Sequence, residues 1–192
     1  MGTSFFNKLD YSRRFVTTKA TDNEKPAPSR GRRLPGPVVV DLFAGCGGLS
    51  AGLELAGFHP VYVNELVDDA RESYLLNRDH LITGPSLRDR FNSSNIKELI
   101  ENDGAKLDEV EEGLKETWGI EHGDIDLVTG GPPCQGFSGI GIRRSYSVDK
   151  DQLPSNHLFQ DMAYVVAKLH PRMFLFENVR GLLNARWKDG GK

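Results

Sequence analysis

The chain has 192 residues, 38% of them in the apolar set, which is enough for one domain with a real core once its 21 glycines are counted as well. The formal net charge of -3 gives no global basic signal for nucleic acid, but it leaves a local basic surface open. Two cysteines, Cys46 and Cys134, make neither a disulfide framework nor a metal cluster, so a reducing cytoplasm is the expected setting and no metal is expected. The first ten residues lack the apolar stretch of a signal peptide, and no apolar run nears the ~20 residues needed to span a membrane.

Residues 1–36 read as a flexible arm. The stretch from Thr17 to Pro37 is rich in Thr, Pro, Ser, Lys and Arg and has no apolar period. Arg30, Arg32 and Arg33 form a small basic cluster, either solvated or in contact with phosphate. Residues 37–192 read as the folded domain.

Val38-Val39-Val40-Asp41-Leu42-Phe43 reads as a buried strand, with three β-branched residues in a row. A glycine-rich turn from Ala44 to Gly48 follows. Then comes a helix from Leu49 to Ala56, with Leu49, Leu53 and Ala56 on one face and Gly57 as its stop. Val61 to Val63 is a second strand, and Leu66 to Asp79 a second helix with Leu66, Ala70 and Tyr74 spaced by four. This alternation predicts an α/β fold with a parallel sheet and right-handed crossovers. Lys106 to Trp118 is charged and helical, read as a surface excursion. Ile125 to Thr129 is a short strand ending at Gly130-Gly131-Pro132-Pro133. His157 to Leu169 is an amphipathic helix through Leu158, Met162, Val165, Val166 and Leu169, closed by Pro171. Met173 to Phe176 is a further buried strand.

Three constellations carry chemistry. In the first, the turn Asp41-Leu42-Phe43-Ala44-Gly45-Cys46-Gly47-Gly48 lets backbone approach a ligand at a strand's carboxyl end, where open α/β sheets bind ligands. Its spacing is not G-x-G-x-x-G, so a dinucleotide is disfavoured and a nicotinamide oxidoreductase is remote. Glu65, at the end of the second strand, can accept hydrogen bonds from both hydroxyls of a ribose. These pieces point to a nucleoside-type cofactor; the alternative is a set of tight core turns with Glu65 solvated. Cys46 is read as a packing residue.

In the second, Gly130-Gly131-Pro132-Pro133-Cys134-Gln135-Gly136-Phe137-Ser138 places a thiol after two prolines and among glycines. That is a preorganised, accessible sulfur rather than a core cysteine. In the third, Glu177 ends the strand Phe174-Leu175-Phe176. In a partly apolar site its raised pKa would let it donate a proton, although a helix cap or a loop salt bridge explains such a carboxylate equally well.

Together these motifs resemble the DNA (cytosine-5) methyltransferase family. The matching pieces run in the family's order: Asp41–Gly48, Asn64-Glu65, Gly131–Ser138 with Pro-Cys-Gln, and Glu177-Asn178-Val179. Asn156-His157-Leu158-Phe159 also looks like the family's segment after its mobile loop. The resemblance covers residues 38–184. It implies a Rossmann-like, AdoMet-dependent methyltransferase fold, incomplete at its C-terminal sheet edge, with S-adenosylmethionine (AdoMet) as cofactor and double-stranded DNA as substrate. Asp41, Phe43, Gly45 and Gly48 would line the AdoMet pocket, and Glu65 would hold the ribose. Asn95-Ile96 would meet the adenine, with Asn where the family usually has Asp. Pro133 and Cys134 would be the catalytic pair and Glu177 would touch the cytosine. The loop 136–152, with Arg143 and Arg144, would be a lid over a base flipped out of the duplex, and Gln135 and Ser138 would join them as substrate-loop residues; an ordinary solvated loop is the alternative.

The family's Gln-x-Arg-x-Arg segment, target-recognition domain and final Asn-containing motif are not in the sequence. Three readings follow: a fragment or truncated product, one subunit of a split enzyme needing a complementary chain, or a non-catalytic AdoMet- or DNA-associated module. The target sequence, and membership of a restriction-modification system, are not legible.

Overall fold

The computed structural model describes residues 34–78, 87–133 and 157–180. The described elements are, in chain order, β1 (Val38–Leu42), α1 (Gly48–Leu55), β2 (His59–Asn64), α2 (Asp68–Leu76), α3 (Leu87–Arg90), β3 (Asn92–Ser93), α4 (Lys97–Ile100), a 3₁₀ turn (Glu101–Gly104), α5 (Ala105–Trp118), β4 (Leu127–Gly130), α6 (Leu158–Leu169) and β5 (Met173–Phe176). Among these residues the strands form one five-stranded sheet in the order β3-β2-β1-β4-β5, and every pairing is parallel.

β1 takes the centre because it satisfies what a central parallel strand requires. All five of its residues are buried, so both faces are covered, and its backbone has a hydrogen-bonded neighbour on each side. The strand order reverses direction at the β1–β4 boundary, which is where open α/β sheets open a crevice at their carboxyl ends. β2 begins earlier than the Val61–Val63 reading, at His59. Pro60 obscures that start: it has no N–H to donate, and the β1–β2 register shifts beside it, between Val39 and Val40.

Helical periodicity places α5 differently from the surface excursion read in the sequence. Leu107, Val110, Leu114 and Trp118 recur at helical spacing and are all buried in the core. The Trp118 ring lies 4.8 Å from that of Phe91, tilted by 38°. The charges that suggested a surface element occupy only the opposite face. In α6 the expected face is the observed one: Met162, Val165 and Leu169 are buried, with Leu158 and Val166 packed at the core's margin.

Leu66, expected on the helical face of Ala70 and Tyr74, precedes α2 and is exposed, and two further burial expectations are overturned. In α1, Leu49 is exposed, Leu53 half-buried and Ala56 exposed, while Ser50 faces the interior. The helix is turned by a polar contact of Ser50 rather than by an apolar stripe. β5 is the sheet's edge among the described residues and pairs only with β4; Met173, Phe174 and Leu175 are 55%, 65% and 41% exposed. The incomplete sheet edge expected at the C-terminal side is thus the observed one among the described residues, while the reading of this strand as buried is overturned. At the other end of the chain, Leu34 is half-buried against the core; residues 1–33 of the expected arm lie outside the described residues.

If α5 is core, Trp118→Ala should cost about 3–5 kcal/mol in urea unfolding. A loss under about 0.5 kcal/mol would return α5 to the surface.

Candidate functional site

Among the described residues, the carboxyl ends of β1, β2, β4 and β5 carry the glycine turn, Glu65, Pro133 and Glu177, and Asn95-Ile96 follows β3. From β1 the chain enters the glycine turn, through backbone that few residues tolerate. Phe43 has φ 54°, an unusual value for a bulky side chain, and Gly45 and Gly47 have φ 56° and 89°. The turn is closed by the Gly47 N–H on the Ala44 carbonyl at 2.9 Å and tied to β2 by the Ala44 N–H on the Asn64 carbonyl at 3.1 Å.

Glu65 is 8% exposed, which removes the reading of a solvated carboxylate. Its Oε2 accepts the Gly45 N–H at 2.7 Å and its Oε1 the Val67 N–H at 2.8 Å. Each oxygen keeps a lone pair for a further donor. The carboxylate is thereby fixed at the end of β2, beside the turn. A Cβ placed on Gly45 or on Gly48 would meet nothing within 4 Å, so the turn has an open side. Bare backbone, open space and a held carboxylate fit a nucleoside carrying a ribose diol.

Asp41 lies beneath the turn, 1% exposed. Its Oδ2 accepts the Ser50 hydroxyl, and the Ser50 oxygen is 2.9 Å from the Tyr74 hydroxyl. Ser50 has one proton and gives it to Asp41, so Tyr74 must donate to Ser50. Burial pushes the Asp41 carboxyl up to about 6, against the lowering effect of Ser50, Arg78 and Tyr74. Burial, with the Asp41 charge beside it, also pushes the Tyr74 hydroxyl well above its ordinary range. Asp41, placed in the cofactor pocket by the resemblance, is thus buried and bonded to Ser50 of α1. Buried Ser50, Tyr74 and Arg78 and half-buried Glu54 complete this network, and the sequence reading missed all four. Their only signal was the inward position of Ser50, which apolar periodicity conceals.

Cys46 is exposed, which corrects its reading as a packing residue. Asn95 is exposed, and its Oδ1 accepts the Lys97 N–H at 3.0 Å while its own N–H donates to Glu98 at 3.1 Å. That is a capping box at the start of α4, which leaves one lone pair of the Asn95 oxygen for a ligand. Ile96 is 3% exposed and belongs to the core.

The second half of the site joins β4 to β5. Pro132 is buried and Pro133 exposed at the end of β4. The Glu177 N–H donates to the Gly130 carbonyl at 3.0 Å, and Asn178 Nδ2 donates to the Pro132 carbonyl at 3.0 Å. A Cβ on Gly131 would sit 2.8 Å from Glu177 Oε2. Glycine at 131 therefore allows the Glu177 carboxylate to lie against the segment that leads to Cys134. Glu177 itself is exposed, so the partly apolar setting expected for it is not observed. Cys134, Gln135, Ser138, Arg143 and Arg144 lie outside the described residues. Among the described residues no group of three or more His, Cys, Asp or Glu could hold a metal, and no helix is long and apolar enough to cross a membrane. An open hollow of about 380 Å³, lined by Leu34, Pro37, Asp126 and Arg172 among others, lies at the amino ends of the strands, away from all of this.

The raised Asp41 carboxyl has a signed consequence. Its folded pKa exceeds the ordinary value of 3.8, so the folded chain holds this proton more tightly than the unfolded one. The associated stability is complete below about pH 4 and is lost as pH rises through about 6. Asp41→Asn keeps an acceptor for Ser50 and cannot ionise. The variant should gain on the wild type by on the order of 2–3 kcal/mol between about pH 4 and pH 7. A stability difference that does not change with pH would contradict this.

Residues 38–189 match the family model described as C-5 cytosine-specific DNA methylase. The chain is 36% identical over 151 residues to the type II methyltransferase M.DdeI of Desulfomicrobium norvegicum, covering 79% of this chain and 30% of that protein. It is 31% identical over 167 residues to DNA (cytosine-5)-methyltransferase 1 of Mus musculus, covering 85% of this chain and 9% of that protein. A solved structure described as a DNA modification methyltransferase encoded within an E. coli prophage superposes with a TM-score of 0.51 at 28% identity, covering 77% of this chain and 33% of the other. The chain thus spans about a third or less of the length of the relatives it matches. With a parallel sheet whose carboxyl ends carry the glycine turn, Glu65, the Pro132-Pro133 segment and Glu177, and with the family model covering residues 38–189 of the 192, the chain belongs to the C-5 cytosine-specific DNA methylase family.

Proposed function

We propose that the chain is the cofactor-binding and catalytic part of an enzyme that methylates C5 of cytosine in double-stranded DNA. The observation that carries this reading is the shared sheet edge. The glycine turn with Glu65 and the Pro132-Pro133 segment with Glu177 leave the carboxyl ends of neighbouring strands, on either side of the β1–β4 boundary. Family membership supports it independently.

AdoMet fits the first half of this edge and, when bound, supplies an electrophilic methyl group. Phe43, Gly45 and Gly48 would line its pocket, the Glu65 carboxylate would take the ribose hydroxyls, and Asn95 with Ile96 would border the adenine. At the second half, the thiolate of Cys134 would add to C6 of the cytosine, and Pro133 would fix the backbone that presents it. That addition makes a bond from sulfur to C6 and moves an electron pair toward C5, which is too weak a nucleophile in the free base. Glu177, by hydrogen bonding at N3 and the exocyclic amine, would stabilise the displaced charge. After C5 is methylated, loss of its proton to a base and departure of the thiolate restore the aromatic ring. Attack at C6 comes from the face of the ring, which stacking covers, and N3 is base-paired in a duplex, so the cytosine must be flipped out, with Gln135, Ser138, Arg143 and Arg144 as candidate contacts over it.

Reading of the DNA sequence is proposed to lie in a target-recognition half outside these 192 residues, on the same polypeptide or on a complementary chain. The net charge of -3 favours that division, because a separate module then supplies most of the phosphate contact. A reducing cytoplasm suits a catalytic thiolate.

Transfer of labelled methyl groups to cytosine-containing DNA, with a target-recognition half supplied, tests the reading. Cys134→Ser should lower kcat by about 10³-fold or more while leaving AdoMet binding within about two-fold. Activity retained in this variant would remove the nucleophile. Transfer to RNA but not DNA would remove the substrate. Binding of AdoMet with no transfer under any complementation would select a non-catalytic module instead.

A further inference from the structure

The glycine turn is held from behind by a single guanidinium. Arg78 follows the last turn of α2 and is 4% exposed. Its Nε and Nη2 reach the two carboxylate oxygens of Glu54, on α1, at 3.0 and 2.9 Å. Nη2 also donates to the Gly47 carbonyl at 3.0 Å, and Nη1 donates to the Tyr74 carbonyl at 3.3 Å. The guanidinium lies over the Tyr74 ring, 3.9 Å from its centroid. Two helices and the turn therefore meet on one planar cation.

Two features separate this group from an ordinary bridge between helices. First, one of its arms ends on the main chain of the turn. Gly47 has φ 89°, and a Cβ there would sit 2.5 Å from Arg78 Nη1 and 2.7 Å from Tyr74 Cδ2. The glycine and the arginine are thus fitted to each other. Second, the same turn is gripped at its other end by Glu65 on the Gly45 N–H. Between these two grips runs the backbone that a nucleoside would approach, and the Arg78 grip comes from the side on which a Cβ at Gly47 would have no room.

We propose that Arg78, aimed by Glu54, is a positioning residue for the cofactor site. It touches neither cofactor nor base, and it sets the backbone conformation of residues 45–48 before the ligand arrives. This rests on the reading that the turn takes AdoMet. Lysine cannot replace the arginine: it has the charge, but not the fork that spans Glu54 and Gly47 together.

The test is calorimetric titration of AdoMet into the full chain, at a temperature well below the melting point of every variant. Arg78→Lys should weaken AdoMet binding by about 10-fold. In the complemented enzyme it should raise KM for AdoMet while kcat and KM for DNA stay within about two-fold. Glu54→Gln should give a smaller loss of the same kind. Combined with Arg78→Lys it should add little, because the two act as one unit. Leu107→Ala, in the core face of α5, should lower the melting temperature without moving the AdoMet affinity. Should Arg78→Lys fail to fold, Glu54→Gln carries the test, since Glu54 is only partly buried. Wild-type affinity in a destabilised but folded Arg78→Lys or Glu54→Gln overturns the proposal. Absence of AdoMet binding in the wild type overturns the cofactor reading and this proposal together, and the wild-type titration alone separates that case from the first.

Discussion

Everything at this site depends on how the chain leaves the central strand. β1 is buried on both faces and hydrogen-bonded on both edges, so its position is fixed by the whole sheet. At its end the backbone must turn sharply enough to start α1 while leaving main-chain groups bare on one side. The left-handed values at Phe43, Gly45 and Gly47 are the cost of that geometry. The return comes from polar groups packed under the turn: Asp41 on Ser50, Tyr74 on Ser50, and Arg78 on the Gly47 carbonyl and Glu54. A buried polar cluster of this kind is stable only when its members are satisfied, and these satisfy one another.

The same logic brings the second half of the site into place. β4 lies against β1, and β5 against β4, with both new strands ending level with the turn. Two hydrogen bonds across that end, from the Glu177 N–H and from the Asn178 amide, tie the segments together. Gly131 then leaves room for the Glu177 carboxylate. The glycine turn with Glu65 and the Glu177 carboxylate thus share one sheet edge because β4 lies between the strands that carry them, although they are far apart in sequence.

Much of this was legible from residues alone. β1, α6 and β5 were placed to within a residue or so, because Val-rich runs and a clean helical period are strong local signals. Glycine and proline punctuation marked both functional turns. What escaped detection has particular causes. α5 looked like a surface helix because its charges outnumber its core positions, yet Leu107, Val110, Leu114 and Trp118 suffice to seat it. β3 has two residues, Asn92 and Ser93, and is held by pairing with β2 rather than by any preference of its own. β5 read as buried because local hydrophobicity does not report whether a strand has one neighbour or two. Cys46 looked like a packing residue, but a position inside a strained turn is set by the backbone. The pair of buried Arg78 and half-buried Glu54 carries no sequence signal at all: two charged residues 24 positions apart read as solvated until the fold brings them together.

The central claim is that the sulfur of Cys134, four residues after β4 in the sequence, attacks a cytosine ring. It is tested most directly with duplex DNA containing 5-fluorocytosine, incubated with AdoMet and the complemented protein and then mapped by peptide mass spectrometry. Fluorine at C5 blocks the final elimination, so a stable adduct of protein and methylated base should accumulate, and the modified peptide should carry the DNA on Cys134. A mapped adduct on Cys46 or any other residue, or full turnover with no adduct, would contradict the account.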